Sequence, residues 1–211
     1  MRGISNLLAG DAHPNLPAGE PDALSIVLIG ACQIQSGATT VPVVVRNNTS
    51  RPVRGLEVTG HAHDGGGGHR WTGDSQGFQP VVVAPGEVAF GYVYLDTELP
   101  PGASFDFLAA EGNTDTTDGE ASLAVVDAGL VGDATSRLVG RVANTGETDL
   151  AGPFVVDVYC FDGDALVGFA GTFASAAGNR LSAGATAPFA VDVPAGGSRT
   201  YMAGASAFRR A

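Results

Sequence analysis

The residues best suited to chemistry are three histidines in the stretch GHAHDGGGGHR. His61, His63 and His69 are three of the four histidines in the chain, and Asp64 and four consecutive glycines lie among them. Imidazole nitrogens are common ligands of zinc and other transition metals, and a carboxylate can complete such a site. In a strand, His61 and His63 would share one face at about 6–7 Å from each other. The stretch is therefore a candidate site for Zn²⁺ or another divalent metal.

Two other stretches suggest chemistry less strongly. GDSQG, residues 73–77, matches the G-x-S-x-G pattern of serine hydrolases, but no helical pattern follows Ser75 as that motif requires. We therefore predict no catalytic residues. In the acidic stretch after residue 111, Asp115 and Asp118 could offer oxygen ligands to Ca²⁺. Their spacing is not that of an EF-hand loop, and a solvated linker is the simpler interpretation.

Composition favours an all-β protein that does not bind nucleic acid. The chain has 211 residues, of which 44% are hydrophobic, 31 are glycine and 12 are proline. This apolar content is enough to form a core, and the frequent glycines and prolines favour turns between many short strands. The formal net charge of −11 disfavours contact with phosphate backbones. No run of about 20 apolar residues is present, so no transmembrane span is predicted.

The two cysteines, Cys32 and Cys160, are both expected to be buried small apolar residues, without a disulfide between them. LIGAC, which ends at Cys32, is similar to the cleavage box of bacterial lipoproteins. Its lead-in is acidic and broken by prolines, unlike a signal peptide. The sequence therefore shows no clear signal peptide, and we assign LIGAC to a β-strand.

An internal repeat organises the chain. VVVRNNTSRPVRGLEVTGHAHDG aligns with VGRVANTGETDLAGPFVVDVYCFDG, and this alignment matches Asn48 with Asn144. Downstream, VAPGEVAFGYVYLD aligns with LSAGATAPFAVDV, in which Gly86 and Gly184 are 98 residues apart. A period of this size fits one β-sandwich per copy. We predict two tandem immunoglobulin-like antiparallel β-sandwich domains related by internal duplication.

The repeat also sets the predicted boundaries. They are a disordered tail at 1–22, a first sandwich at 23–110, an acidic linker at 111–120 and a second sandwich at 121–211. Alternation of apolar residues and turn residues predicts six strands in the first copy. These strands span residues 24–34, 41–47, 55–63, 78–83, 87–95 and 103–110.

The repeat changes the interpretation of the histidines. His61 and His63 occupy the positions of Tyr159 and Phe161 in the second copy. We therefore expect the two histidines to lie on an outward, half-exposed face where the sister domain has aromatic rings. The alternate positions are predicted to form the core face: Val58, Gly60 and Ala62 in the first copy, and Val156, Val158 and Cys160 in the second.

Short motifs in the second copy resemble the FxLYD family of bacterial and archaeal immunoglobulin-like modules. They are VGRVANTG, VDVYCFDGDALVG and LSAGATAPFAV, with Phe161-Asp162 in the Tyr-Asp position. A CARDB-like cell-surface domain is the near alternative. The resemblance implies a non-enzymatic accessory protein, extracellular or in the cell envelope, that binds a protein partner or a cell-surface component. The alternative is a metal-binding surface protein using His61, His63 and His69; the oligomeric state stays open.

Overall fold

The computed structural model describes residues 7–64, 70–112, 119–131, 137–193 and 200–209. Within these ranges the single helical element is a 3-10 turn at Ala177–Asn179, and all other regular elements are β-strands. None of these described segments forms a helix with the length and hydrophobicity needed to cross a bilayer. Every strand pairing among the described residues is antiparallel, which confirms the predicted all-β class.

The strands divide between a short N-terminal segment and two halves of the chain. The N-terminal segment contains β1 (Ala9–Gly10). The first half contains β2 (Leu24–Ile29), β3 (Gln33–Gln35), β4 (Ala38–Asn47), β5 (Val53–Arg54), β6 (Leu56–His63), β7 (Arg70–Gln79), β8 (Val82–Val83), β9 (Val88–Leu95) and β10 (Ser104–Glu111). The second half contains β11 (Glu120–Val131), β12 (Arg137–Ala143), β13 (Leu150–Asp162), β14 (Ala165–Phe173), β15 (Arg180–Leu181), β16 (Thr186–Asp192) and β17 (Thr200–Arg209).

The first half forms a sheet in the order β10-β6-β7-β9-β4-β2, with β3 added to β4. The inner faces of these strands share one buried cluster that includes Val43, Val58, Phe78 and Val93. The sheet therefore wraps around its core as two layers. One layer is β10-β6-β7, the other is β9-β4-β2, and pairing of β7 with β9 joins them.

The second half has the sheet order β14-β13-β17-β11-β12-β16, with β15 added to β13. Its own buried cluster includes Leu123, Val156, Val158 and Phe189. Layers β14-β13-β17 and β11-β12-β16 correspond, in chain order, to the two layers of the first half. Here pairing of β11 with β17 joins the layers at the opposite edge. Both halves are thus sandwich-like, with apolar residues of alternating strands facing inward.

A buried asparagine organises the turn after β4. The Asn47 side-chain nitrogen donates to the carbonyl oxygens of Arg51 and Val83, both at 2.8 Å. Asn144, after β12, donates to two carbonyl oxygens at corresponding places, at 2.8 and 3.0 Å. Asn48 instead contacts the N-terminal segment. The structure therefore matches Asn144 with Asn47, and the predicted match with Asn48 is wrong by one residue.

The predicted strand at 78–83 is also wrong. GDSQG lies inside β7, which continues to Gln79, and a separate short strand β8 follows. A polar, glycine-rich sequence is typical of a turn, but pairing with β6 on one side and β9 on the other holds it extended. Gly73 lets β7 lie close to β9, because a Cβ at this position would overlap the carbonyl oxygen of Tyr94.

Residues 7–22 differ from the predicted disordered tail. β1 pairs with β17 of the second half, and the Asp11 carboxylate accepts a hydrogen bond from the Tyr201 amide at 3.0 Å. Further along, the Arg46 side chain of the first half donates to the Pro17 carbonyl oxygen at 3.2 Å. The segment thus contacts both halves, because its backbone groups pair with partners that are distant in sequence.

The two cysteines are not joined by a disulfide, and they differ in environment. Cys160 is buried in the core of the second half, as predicted. Cys32 is exposed, so its predicted burial is wrong. The predicted strand at 24–34 ends at Ile29, and the chain then leaves the sheet as the Ala31 amide donates to the Leu166 carbonyl oxygen at 2.9 Å. Cys32 therefore lies in a connection, where its side chain has no core to enter.

Candidate interaction surface

The outer surface of layer β10-β6-β7 carries His61 and His63, two of the three histidines that the structure describes. We call this surface the histidine face and define it by Thr59, His61, His63, Thr72, Asp74 and Asp106. His61 Nδ1 lies 3.1 Å from Thr72 Oγ1, and His63 Nε2 lies 3.0 Å from Asp106 Oδ2. His61 is exposed and His63 is half-buried, as predicted.

Strand alternation places these side chains outward. Val58 and Ala62 of β6 are 1% and 0% exposed and belong to the first core. Gly60 lies between them against the Phe107 ring, where an added Cβ would come within 2.8 Å of Phe107 Cε1. Val58, Gly60 and Ala62 therefore face the core. Because side chains alternate along a strand, the residues between and beside them, including both histidines, point away from the core. This confirms the predicted core face.

The second half has a corresponding surface, on which β13 lies between β14 and β17 as β6 lies between β7 and β10. Tyr159 pairs with Phe169 on β14 and with Met202 on β17, the strands that correspond to β7 and β10. Tyr159 and Phe161 are both 0% exposed. Both rings are outside the core cluster of their own half and belong to a third cluster. The aromatic surface is therefore covered by another part of the chain.

The cover is the outer surface of layer β9-β4-β2. The Phe90 ring centroid lies 5.3 Å from that of Tyr159 and 6.2 Å from that of Phe161. The rings of Tyr92 and Phe169 extend this contact, with centroids 4.2 Å apart. The whole interface cluster consists of Ala12, Val27, Val44, Val88, Phe90, Tyr159, Phe161, Leu166 and Met202. Aromatic residues occur where the surface is covered, and histidines occur where no described residue covers it.

Polar contacts fix the position of the two halves around this cluster. The Gln33 side chain bonds the backbone of Phe169 twice, donating at 3.2 Å and accepting at 2.8 Å. Gln79 Nε2 donates to Asp157 Oδ2 at 3.1 Å and to Ser206 Oγ at 3.0 Å. Asp157 is 6% exposed, and burial raises the pKa of its carboxyl to about 6, although the bond from Gln79 lowers it.

Sequence reasoning missed Asp157. It lies two residues before Tyr159, on the same surface of β13, and a charged residue there is normally interpreted as solvent-exposed. One signal was available in the sequence. Asp157 lies two positions before Tyr159, and the repeat aligns Tyr159 with the outward residue His61. Only the packing of the other half shows that this position is buried.

Ser75 takes a structural role. Its hydroxyl oxygen accepts a hydrogen bond from the Val58 amide at 2.9 Å. Ser75 pairs with Val93, a residue of the first core, whereas His61 lies on the outer surface. The serine and the histidine thus point to opposite sides of one layer. They cannot form a nucleophile–base pair, which requires a direct hydrogen bond.

The metal prediction is only partly covered by the structure. Among the described residues, no group of three His, Cys, Asp or Glu side chains is placed to hold a metal ion. His69, Asp115 and Asp118 lie outside the described residues. The described part of the predicted site is the pair His61 and His63, each with one ring nitrogen bonded to a neighbouring side chain.

No model of a protein family matches this chain, and no curated protein matches it in sequence. The resemblance to FxLYD modules therefore stays a prediction from short motifs. The described residues form two contrasting surfaces, the covered aromatic surface of the second half and the open polar histidine face of the first.

Proposed function

We propose that this chain is a non-enzymatic accessory protein of the cell exterior or envelope, in which two sandwich-like halves act as one rigid unit. The histidine face is its interaction surface, and its partner is a protein or another cell-surface component. One observation carries this proposal. The histidine face occupies, in the first half, the place that serves as a contact surface in the second half.

Rigidity is supported by the contact between the halves. Phe90, Tyr159 and Phe161 are completely buried at the cluster that both halves share. Hydrogen bonds from Gln33 and Gln79 flank this cluster. An apolar contact with hydrogen bonds beside it resists bending more than a flexible linker would. A rigid pair suits a spacer that holds a binding surface at a fixed orientation.

Interaction is supported by the chemistry of the histidine face. It presents hydroxyl, imidazole and carboxylate groups on a flat sheet rather than in a cavity. Leu108 on β10 pairs with Thr59 on β6 and adds an apolar side chain that is 66% exposed. An exposed apolar residue among polar hydrogen-bonding groups is a common composition for protein contact surfaces. Side chains held on a strand lose little conformational entropy on binding.

Site-specific photo-crosslinking tests this proposal. A photoreactive amino acid at Leu108 in the full chain, expressed in its native cell, should give a discrete crosslinked product. Phe173 provides a matched control, because it is also in a strand and is 65% exposed, but it lies in the second half. Equal crosslinking from both positions, or none from Leu108, would contradict the assignment of the histidine face.

A metal-binding function is the second candidate. His61 and His63 share one surface, and the contacts to Thr72 and Asp106 orient both rings. Such contacts to the second ring nitrogen are usual for histidines that bind metals. Calorimetric titration with Zn²⁺, Cu²⁺ or Ni²⁺ should then show heat that a His61→Ala/His63→Ala variant lacks. Absence of heat at micromolar metal in the parent protein rejects this candidate.

A further inference from the structure

A carboxylate is buried in the contact between the two halves. Asp157 lies on β13, on the surface that the first half covers, and is 6% exposed. Its Oδ2 accepts a hydrogen bond from Gln79 Nε2, at the end of β7 in the other half. The bond therefore exists only while the halves are in contact. Separation would return the Asp157 carboxylate to water.

No positive charge compensates this carboxylate among the described residues. None of the ion pairs that they form includes Asp157. The titratable groups whose charge interacts with it are the hydroxyls of Tyr92 on β9 and Tyr159 on β13. Its other neighbours are uncharged: Gln79 on β7, Gly171 on β14, and Gly204 and Ser206 on β17. An ionised carboxylate is unfavourable in such a place unless the environment supplies enough hydrogen bonds.

Two other polar atoms increase the gain from separation. Gln79 Oε1 and the Tyr159 hydroxyl are buried and have no hydrogen-bond partner among the described residues. Both would bond to water if the halves moved apart. The apolar cluster therefore holds the halves together against several polar groups that favour hydration, and the charge state of Asp157 can shift this balance.

We propose that Asp157 makes the contact between the halves sensitive to pH, so that they separate more readily in neutral or alkaline solution than in acidic solution. This regulatory property concerns the rigidity of the unit and does not require either proposed function. Protonation removes the buried charge and leaves a neutral carboxylic acid between neutral neighbours.

The size of the effect follows from proton linkage. Burial raises the pKa of the Asp157 carboxyl from 3.8 to about 6 while the halves are in contact. The raised pKa belongs to the state in which the halves are in contact. Protonation of Asp157 therefore stabilises the contact; this stabilisation is complete below about pH 3.8 and is lost as pH rises through about 6. This rise in pKa from 3.8 to about 6 corresponds to an increase of about 100-fold in the equilibrium constant for opening between acidic and alkaline solution.

Thiol trapping measures this opening in the full chain. Met202 belongs to the interface cluster and is 3% exposed, so a Met202→Cys variant in a Cys32→Ser background reacts with a disulfide reagent when the halves separate. Cys160, in the core of the second half, reports unfolding of that half in the same sample. The reagent is 4,4′-dithiodipyridine, which reacts in mildly acidic solution, and rates are divided by those of a free model thiol at each pH.

The expected result is a rise in the corrected reaction rate of the thiol introduced at position 202, approaching about 100-fold between pH 4 and pH 8. Asp157→Asn should abolish this rise. Asp162→Asn, at an exposed end of the same strand, removes the same charge and should leave the rise unchanged. An equal rise in Asp157→Asn, or a flat profile in the parent, would overturn the proposal.

A second variant keeps the test decisive if Asp157→Asn does not fold. Gln79→Met removes the hydrogen bond that favours the charged carboxylate. The pKa of Asp157 then rises further, so the midpoint of the pH profile should move to higher pH. A midpoint that does not move shows that the pH dependence comes from another group and rejects the role of Asp157.

Discussion

Replacing Phe90 by alanine tests whether the shared cluster couples the two halves. Phe90 is 0% exposed, and its ring contacts Tyr159 and Phe161 with centroid distances of 5.3 and 6.2 Å. Truncating a buried phenylalanine destabilises a protein by about 3–5 kcal/mol, because transfer energy and packing contacts are lost together. Phe90 belongs to neither of the cores within the halves. The lost free energy therefore weakens the contact between the halves.

Urea unfolding of the full chain measures this loss. Trp71, the single tryptophan, packs against the first core and reports on the first half by fluorescence, while circular dichroism reports on both halves. The free energy of unfolding should fall by about 3–5 kcal/mol in Phe90→Ala. Phe173→Ala is the matched control; its ring is 65% exposed, so the change should stay within about 0.5 kcal/mol.

Two outcomes would refute the reasoning. The first is a loss below about 1 kcal/mol in Phe90→Ala, far less than burial of this ring requires. The second is an equal loss in Phe173→Ala, which would mean that exposure does not distinguish the two sites. Either result would show that the aromatic cluster does not hold the halves together in solution.

Three further substitutions separate the structural roles assigned above. Asn47→Ala should lower the free energy of unfolding by about 2–4 kcal/mol, since two carbonyl oxygens lose their donor; Asn48→Ala, whose bonds are exposed, should lower it less in the same urea experiment. Ser75→Ala should cost about 1–3 kcal/mol by removing the acceptor of the Val58 amide, and no loss of stability by thermal unfolding would contradict that role. Burial holds the pKa of Tyr159 well above its ordinary value, and its hydroxyl has no partner among the described residues, so Tyr159→Phe should be neutral or stabilising by about 1 kcal/mol; a clear loss would reveal a bonded hydroxyl.

Much of the local structure could be predicted because strand alternation is a local property. The period of two placed Val58 and Ala62 inward and His61 and His63 outward, and the structure confirms this. The repeated turn was also visible, although the two adjacent asparagines gave no reason to choose Asn47 over Asn48. That choice depends on a hydrogen bond to Val83, which is 36 residues away in sequence.

Other predictions failed because they depended on partners distant in sequence. GDSQG has the composition of a turn, yet it is a strand because β6 and β9 pair with it on both sides. Residues 7–22 show no periodicity, yet they dock because β17 offers unpaired backbone groups. Cys32 follows an apolar run but is exposed, because the strand that contains this run ends three residues earlier.

The amino-acid sequence alone determined the all-β class, the inward and outward sides of β6 and β13, and the outward position of the histidines. These follow from composition and from the alternation of side chains along a strand, which need no knowledge of distant contacts. Only the tertiary structure decided which outward surface is covered. Tyr159 and Asp157 are buried, and His61 is exposed, because the second half packs its β14-β13-β17 surface on the first half, whereas no described residue packs on the histidine face. The physical reason is that burial of an outward surface depends on long-range packing, which strand periodicity does not encode.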